Sequence, residues 1–179
     1  GENLGELGLY GEHGTADNPT CRIPMIIKWP GGKQGIRDGA LHANLDLAPT
    51  IEQLLGQTSN ARWDGKSYAS TITDGVEDGH KDIVINQCAH VCQRSVRFDK
   101  YIYIRTVHDG YHLFDDEMLF DLEQDPHEIH NLASELPDIC AKGAKLILDW
   151  EYQMMKTSDS DVDPMWTVFR EGGPYHAQE

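Results

Sequence analysis

The sequence is short of basic residues. Lys and Arg total 15 against 30 Asp and Glu, a formal net charge of -15 at neutral pH. Nucleic-acid binding by counterion release needs clustered Lys and Arg, so that function class is excluded, and so is an anionic membrane surface. No apolar run approaches the roughly 20 residues of a membrane span. There is no initiating Met, and Gly1-Glu2-Asn3 has neither the basic nor the apolar region of a signal peptide. The expectation is therefore a fragment or processed product. The sequence holds no Gly-x-Ser-x-Gly elbow, no P-loop, no Gly-x-Gly-x-x-Gly fingerprint and no internal repeat. The four cysteines, Cys21, Cys88, Cys92 and Cys140, are too few and scattered for a disulfide framework. Cys88-Ala-His-Val-Cys92, with His90 as a third group, has a spacing that zinc allows, but no second Cys pair completes it. Buried thiols or one disulfide are the simpler reading.

What is present reads as an α/β protein. The opening is an acidic glycine-rich stretch, Gly1 to Gly14, running into the apolar Ile23-Pro24-Met25-Ile26-Ile27-Lys28-Trp29 and stopped by Pro30-Gly31-Gly32. This predicts a polar loop feeding a core strand. Leu47, Ile51, Leu54 and Leu55 form a helical stripe, with Asn44 or Asp46 as cap and Gly56 as the stop. Residues 57–80 are poor in apolar side chains and predict a linker. From Asp82 the period changes to two. Strands are predicted at Asp82–Asn86, at Ser95–Phe98 turning through Asp99-Lys100 into Tyr101–Thr106, and at Glu117–Leu122. A helix follows, capped at Ser134 with Pro137 in its first turn and ending near Lys156. Its stripe of Ile139, Leu146, Ile147, Trp150 and Met154 suits one face of the sheet. Trp166, Phe169 and Tyr175 predict that the tail, 157–179, packs back on the body.

Among polar clusters, His127-Glu128-Ile129-His130 has the wrong spacing for a His-Glu-x-x-His zinc helix and reads as a turn. His108-Asp109-Gly110-Tyr111-His112 could line a polar pocket. Arg94, Arg97, Arg105 and Arg170 could each bind an anion, though in so acidic a chain an ion pair is the simpler reading.

Three blocks resemble the C-terminal half of a sulfatase of the alkaline-phosphatase-like superfamily. The first is Gly1-Glu2-Asn3-Leu4-Gly5-Glu6-Leu7-Gly8-Leu9-Tyr10-Gly11-Glu12-His13 with Arg22-Ile23-Pro24 and the apolar strand after it. The second is Asp46-Leu47-Ala48-Pro49-Thr50, with Asp64-Gly65-Lys66-Ser67. The third is Arg97-Phe98-Asp99-Lys100-Tyr101-Ile102-Tyr103 followed by Leu119-Phe120-Asp121-Leu122-Glu123-Gln124-Asp125-Pro126-His127-Glu128-Ile129-His130-Asn131-Leu132-Ala133. The resemblance implies residues 1–75 as the end of the large catalytic α/β domain. It implies 80–156 as a small antiparallel sheet with a long C-terminal helix. It further implies hydrolysis of sulfate esters on a small molecule or glycan, through a formylglycine and a bound Ca2+. No cysteine here sits in the Cys/Ser-x-Pro/Ala-x-Arg motif that yields formylglycine, and the family's Asp-Asn/His metal pair would immediately precede Gly1. Nucleophile and metal ligands are thus expected in a missing N-terminal part of the same enzyme, with this chain inactive alone and no metal ligand within it. A periplasmic, secreted or lysosomal-type compartment is the family expectation. The usual Lys position holds Glu12, so His13 beside it is the expected catalytic residue, and Glu12, His90, Arg94, His108 and His112 are expected on the substrate rim. The alternatives are a related phosphodiesterase or phosphonate hydrolase, and a non-catalytic carbohydrate-binding module.

Overall fold

A computed structural model describes residues 1–58, 60 and 62–171. Residues 172–179, including Tyr175 of the expected tail contact, lie outside the described residues. The chain divides into two compact units, Gly1–Ile23 with the chain from Val84 onward, and Pro24–Ile83. No helix among the described residues is long and apolar enough to cross a membrane.

The first unit is built on a four-stranded antiparallel sheet. Its strands are β3 (Asp82–Gln87, which begins just before the unit), β4 (Cys92–Phe98), β5 (Tyr101–His108) and β6 (Glu117–Asp121), in sheet order β3-β4-β5-β6. β4 and β5 pair from Phe98 opposite Tyr101, and β5 and β6 from Tyr101 opposite Asp121. The two-residue turn needs a left-handed residue, and Asp99 supplies it at φ 46°. Alternation sorts the side chains onto two faces. Val96, Phe98, Tyr103 and Leu119 form one apolar cluster, joined by Cys140 and Ile147 of helix α4 (Pro137–Thr157). Ile102, Ile104, Met118 and Phe120 form the other, with Leu7 and Phe114 packed against it. The sequence predicted one covered face; the structure buries both. On the second face Gln93 accepts from the Ala16 N–H at 3.1 Å and the Ser95 hydroxyl donates to the Ala16 carbonyl at 2.6 Å. Residues 1–23, far away in sequence, thus roof that side.

Ser134 does not cap α4. The helix starts at Pro137 after Leu136, with no side-chain cap bond. Its Gly143 is pressed on Tyr103 so closely that an added Cβ would lie 2.6 Å from the Tyr103 Cβ. Alanine at this position gains about 1 kcal/mol of helix propensity. Overpacking a core contact costs about 1–3 kcal/mol, and more when neither partner can give. Gly143→Ala is therefore expected to lower stability by up to about 2 kcal/mol, measured by urea unfolding. A stabilised variant would show that α4 can shift off β5.

The Gly1–Ile23 segment holds a short ribbon, β1 (Asn3–Leu4) with β2 (Tyr10–Glu12), and a four-residue helix α1 (Asn18–Cys21). Asp17 caps α1 by accepting from the Thr20 N–H at 2.8 Å. The buried Asn3 amide donates to Thr15 and Thr20 hydroxyls at 3.2 and 3.1 Å and reaches Asp17 at 3.4 Å.

The expected strand Ile23–Trp29 does not form a strand. Residues 22–29 pair with no strand, and Ile26 is 98% exposed. A strand needs a neighbour to satisfy its N–H and C=O groups, and none lies alongside among the described residues.

The second unit is small and mostly irregular. Helix α2 (Leu47–Leu54) ends at Gly56 with φ 72°, as expected. Asp46 stands at its N-cap position, as expected, but makes no side-chain cap bond to it. The fully buried Asp46 carboxylate instead accepts from the Ala43 and Lys66 N–H groups, both at 2.7 Å, and meets His80 at 2.9 Å. A short helix α3 (Ala69–Asp74) occupies part of the stretch predicted as linker, and helix α5 (Pro164–Glu171) part of the tail.

Candidate functional site

Four of the six predicted site residues meet at one edge of the first unit. Glu12 ends β2, His13 follows it, His90 sits in the β3–β4 loop and His112 in the loop after β5. Glu12 Oε2 lies 3.2 Å from His112 Nε2 and 3.5 Å from His90 Nδ1. His13 pairs through Nδ1 with Glu2 at 2.9 Å, and its ring centroid is 6.4 Å from that of His90. The His13 side chain is 66% exposed, so it faces solvent while its partner carboxylate fixes one ring nitrogen.

Two glycines shape the cluster. A Cβ on Gly14 would stand 2.7 Å from the His90 ring, and one on Gly110, at φ 65°, 2.3 Å from the His90 carbonyl oxygen. His90 is therefore clamped by backbone on both sides. Of these four side chains only the imidazoles can carry positive charge, so an anion here would be met by protonated histidine. The carboxylate between two rings fixes how each ring is turned, as acid–base work requires.

His108 is not part of this cluster. Its Nδ1 accepts from the Gly110 N–H at 2.9 Å and its ring stands edge-on to Phe169, 6.0 Å between centroids. It lines an open depression of about 260 Å³ with Thr106, Asp109, Phe114, Asp116 and Phe169.

Arg94 is placed in the interior, away from any rim. The side chain is 5% exposed. Its Nη1 pairs with Glu151 and, at 2.7 Å, with Asp163; Nη2 reaches Asp163 at 3.1 Å and Nε bonds Asn86. The guanidinium also stands 5.2 Å from the Trp150 ring centre. With its donors so engaged, it binds the fold together, tying β3 and β4 to α4 and the turn before α5. The reason is its register, since residues 94, 96 and 98 share the face that α4 covers.

Sequence reasoning missed Glu2 as the His13 partner. The signal was the β1–β2 ribbon, too short to read as strands but enough to fold residue 2 back beside residue 13. Glu128 was read as part of a turn, and it is in one, at φ 55°, yet it is 1% exposed. Its Oε1 accepts from the Asn18 N–H at 2.8 Å. Burial first, then the nearby Asp17 charge, push its carboxyl up to about 8. Among the described residues no group of three or more His, Cys, Asp or Glu is arranged to hold a metal ion. The described residues thus offer no ligand set for a calcium ion.

The four-stranded antiparallel sheet with its long helix is the fold of the C-terminal part of sulfatases of the alkaline-phosphatase-like superfamily. The chain belongs to the N-sulphoglucosamine sulphohydrolase C-terminal family, whose model matches residues 5–147. It is 32% identical over 138 residues to the choline-sulfatase of Rhizobium meliloti, a match covering 74% of this chain and 25% of that protein. It is 27% identical over 184 residues to the multifunctional alkaline phosphatase superfamily protein PehA of Trinickia caryophylli, covering 95% of this chain and 35% of that one. A crystal structure of a candidate sulfatase from Bacteroides thetaiotaomicron superimposes with a TM-score of 0.71 at 25% identity, over 96% of this chain and 39% of the other. The chain spans a quarter to about two fifths of the length of these proteins.

Proposed function

We propose that this chain is the C-terminal part of a sulfuric ester hydrolase acting on a sulfated amino sugar. The family match over residues 5–147 carries this reading. In it, the formylglycine nucleophile and the calcium ligands belong to chain upstream of Gly1, and residues 1–179 contribute the leaving-group side. His13 donates a proton to the departing oxygen, with Glu2 holding its ring at 2.9 Å. Glu12, His90 and His112 form the wall beside it. The unpaired apolar stretch of residues 22–29 supports the reading, because a near-continuous apolar run suits addition to a buried sheet that another part of the protein supplies. His108, in its separate depression, is assigned to the outer substrate rim, and Arg94 is assigned to the fold.

A second reading is hydrolysis of a phosphoester or phosphonate. The similarity to a multifunctional alkaline phosphatase superfamily protein over 95% of this chain favours it. The test is to express the coding sequence together with its upstream region and to offer N-acetylglucosamine 6-sulfate, choline sulfate and an aryl phosphodiester. The expected result is sulfate release from the amino sugar, loss of about 10²–10⁴ of turnover in His13→Ala, and no turnover by residues 1–179 alone. Faster cleavage of the phosphodiester would move the assignment to the second reading. Sulfate release by residues 1–179 alone would overturn the upstream nucleophile.

A further inference from the structure

Cys88 and Cys92 bracket the loop that carries His90. Both are free thiols, and their sulfurs lie 3.7 Å apart, in van der Waals contact. An S–S bond of about 2.05 Å needs a further approach of the two side chains, one in the loop and one on the first residue of β4. The other two cysteines have no thiol neighbour. Cys21 Sγ donates to the Thr15 carbonyl and Cys140 Sγ to the Ala133 carbonyl. The pair is also graded in access: Cys92 is fully buried, Cys88 half-buried.

We propose that Cys88 and Cys92 form a dithiol that a small disulfide such as glutathione disulfide oxidises to an intramolecular disulfide, closing the His90 loop. This inference is independent of the enzymatic reading. The half-buried Cys88 is the attacking thiolate. It breaks the S–S bond of glutathione disulfide, forms a mixed disulfide and releases one glutathione thiolate. Cys92 then loses its proton and attacks the Cys88 sulfur, releasing the second glutathione. The protein gives up two electrons and two protons, and one glutathione disulfide becomes two glutathione thiols. The chemistry at Cys88 suits that role. The hydrogen bond from the Cys92 thiol, opposed by partial burial and aided by the Arg94 charge, brings its thiol down to about 7. Burial first, and then the Asp17 charge, push Cys21 up to about 11, and burial likewise raises Cys140. The selectivity among four thiols follows. The product fixes a five-residue loop whose central residue stands 3.5 Å from Glu12.

The test is oxidation of the chain by glutathione disulfide, followed by alkylation and peptide mass mapping. The expected peptide holding Cys88 and Cys92 is lighter by two hydrogens than the reduced one and takes up no alkyl group, while Cys21 and Cys140 are alkylated. The rate should rise with pH through about 7. In Cys92→Ser the reaction should stop at glutathione bound to Cys88. A wild-type peptide that is fully alkylated, that retains glutathione, or that is crosslinked to Cys21 or Cys140 overturns the proposal, and this mapping does not depend on the variant folding.

Discussion

Replacing Arg94 by alanine is expected to lower the stability of the chain by about 3 kcal/mol, because it strands two carboxylates against a buried face. The whole stability of a domain is about 5–15 kcal/mol, so this is a large fraction. Asp163 carries most of the effect. Burial alone would raise its carboxyl, but the Arg94 hydrogen bonds override burial and hold it below its usual range. A carboxyl depressed in the folded state contributes stability that is present above its unfolded value, about 3.9, and is lost as pH falls through the lower folded value. The deficit of Arg94→Ala should accordingly be greatest near neutrality and shrink in acid, where the freed carboxylates take up protons. Urea unfolding of both proteins at about pH 7 and about pH 2 measures this. An equal deficit at both values would show that lost packing on Trp150 outweighs charge pairing. A loss of substrate affinity with unchanged stability would return Arg94 to the substrate rim.

Glu128→Gln should remove a pH dependence of the opposite sign. The folded value of Glu128 is raised to about 8, against 4.5 ordinarily. Between those values the native chain holds a proton that the unfolded chain releases. Stability is full below the lower value and falls as pH rises through the window, by up to a few kcal/mol. Glutamine keeps an acceptor for the Asn18 N–H and cannot ionise. It occupies the left-handed backbone at 128 no worse than glutamate does. The variant should match wild type at about pH 5 and exceed it at about pH 8, read from unfolding midpoints. The same slope in both proteins would sink the assignment of a neutral, buried Glu128 and shift attention to Asp17 and Asp125, the carboxyls that face it.

The sheet and long helix were legible because their signals are local. Period-two apolar residues over 95–106, the Asp99-Lys100 turn and the α4 stripe each depend on neighbours a few positions away. The Ile23–Trp29 strand failed for the converse reason. Its composition states a preference, but pairing is a property of whatever lies alongside, and no strand among the described residues lies alongside it. Glu12, His13, His90 and His112 were picked as residue types on loops, and the structure brings them together. Their mutual contacts could not be read, because residues 12, 90 and 112 converge only after the meander has formed. Arg94 was expected on the substrate rim or, more simply, in an ion pair; its register puts it under α4, where it pairs with acceptors from residues 86, 151 and 163. α3 was missed as a short helix rich in Ser, Thr and Asp, which favour turns as much as helix, and α5 as a two-turn helix directly after a run of such residues.

The sheet order β3-β4-β5-β6 also has a kinetic side. Every strand bonds to its sequence neighbour, so the closures that build the sheet span short loops, and α4 arrives directly after β6. The roof made by residues 15–18 is different: its bonds to Gln93, Ser95 and Glu128 join residues 77, 79 and 110 positions apart. Loop-closure entropy grows with the logarithm of that separation, costing about 3 kcal/mol more than a tight hairpin. The low-contact-order meander is thus the fast-forming part, and the edge that gathers Glu12 and His13 against His90 and His112 is assembled last.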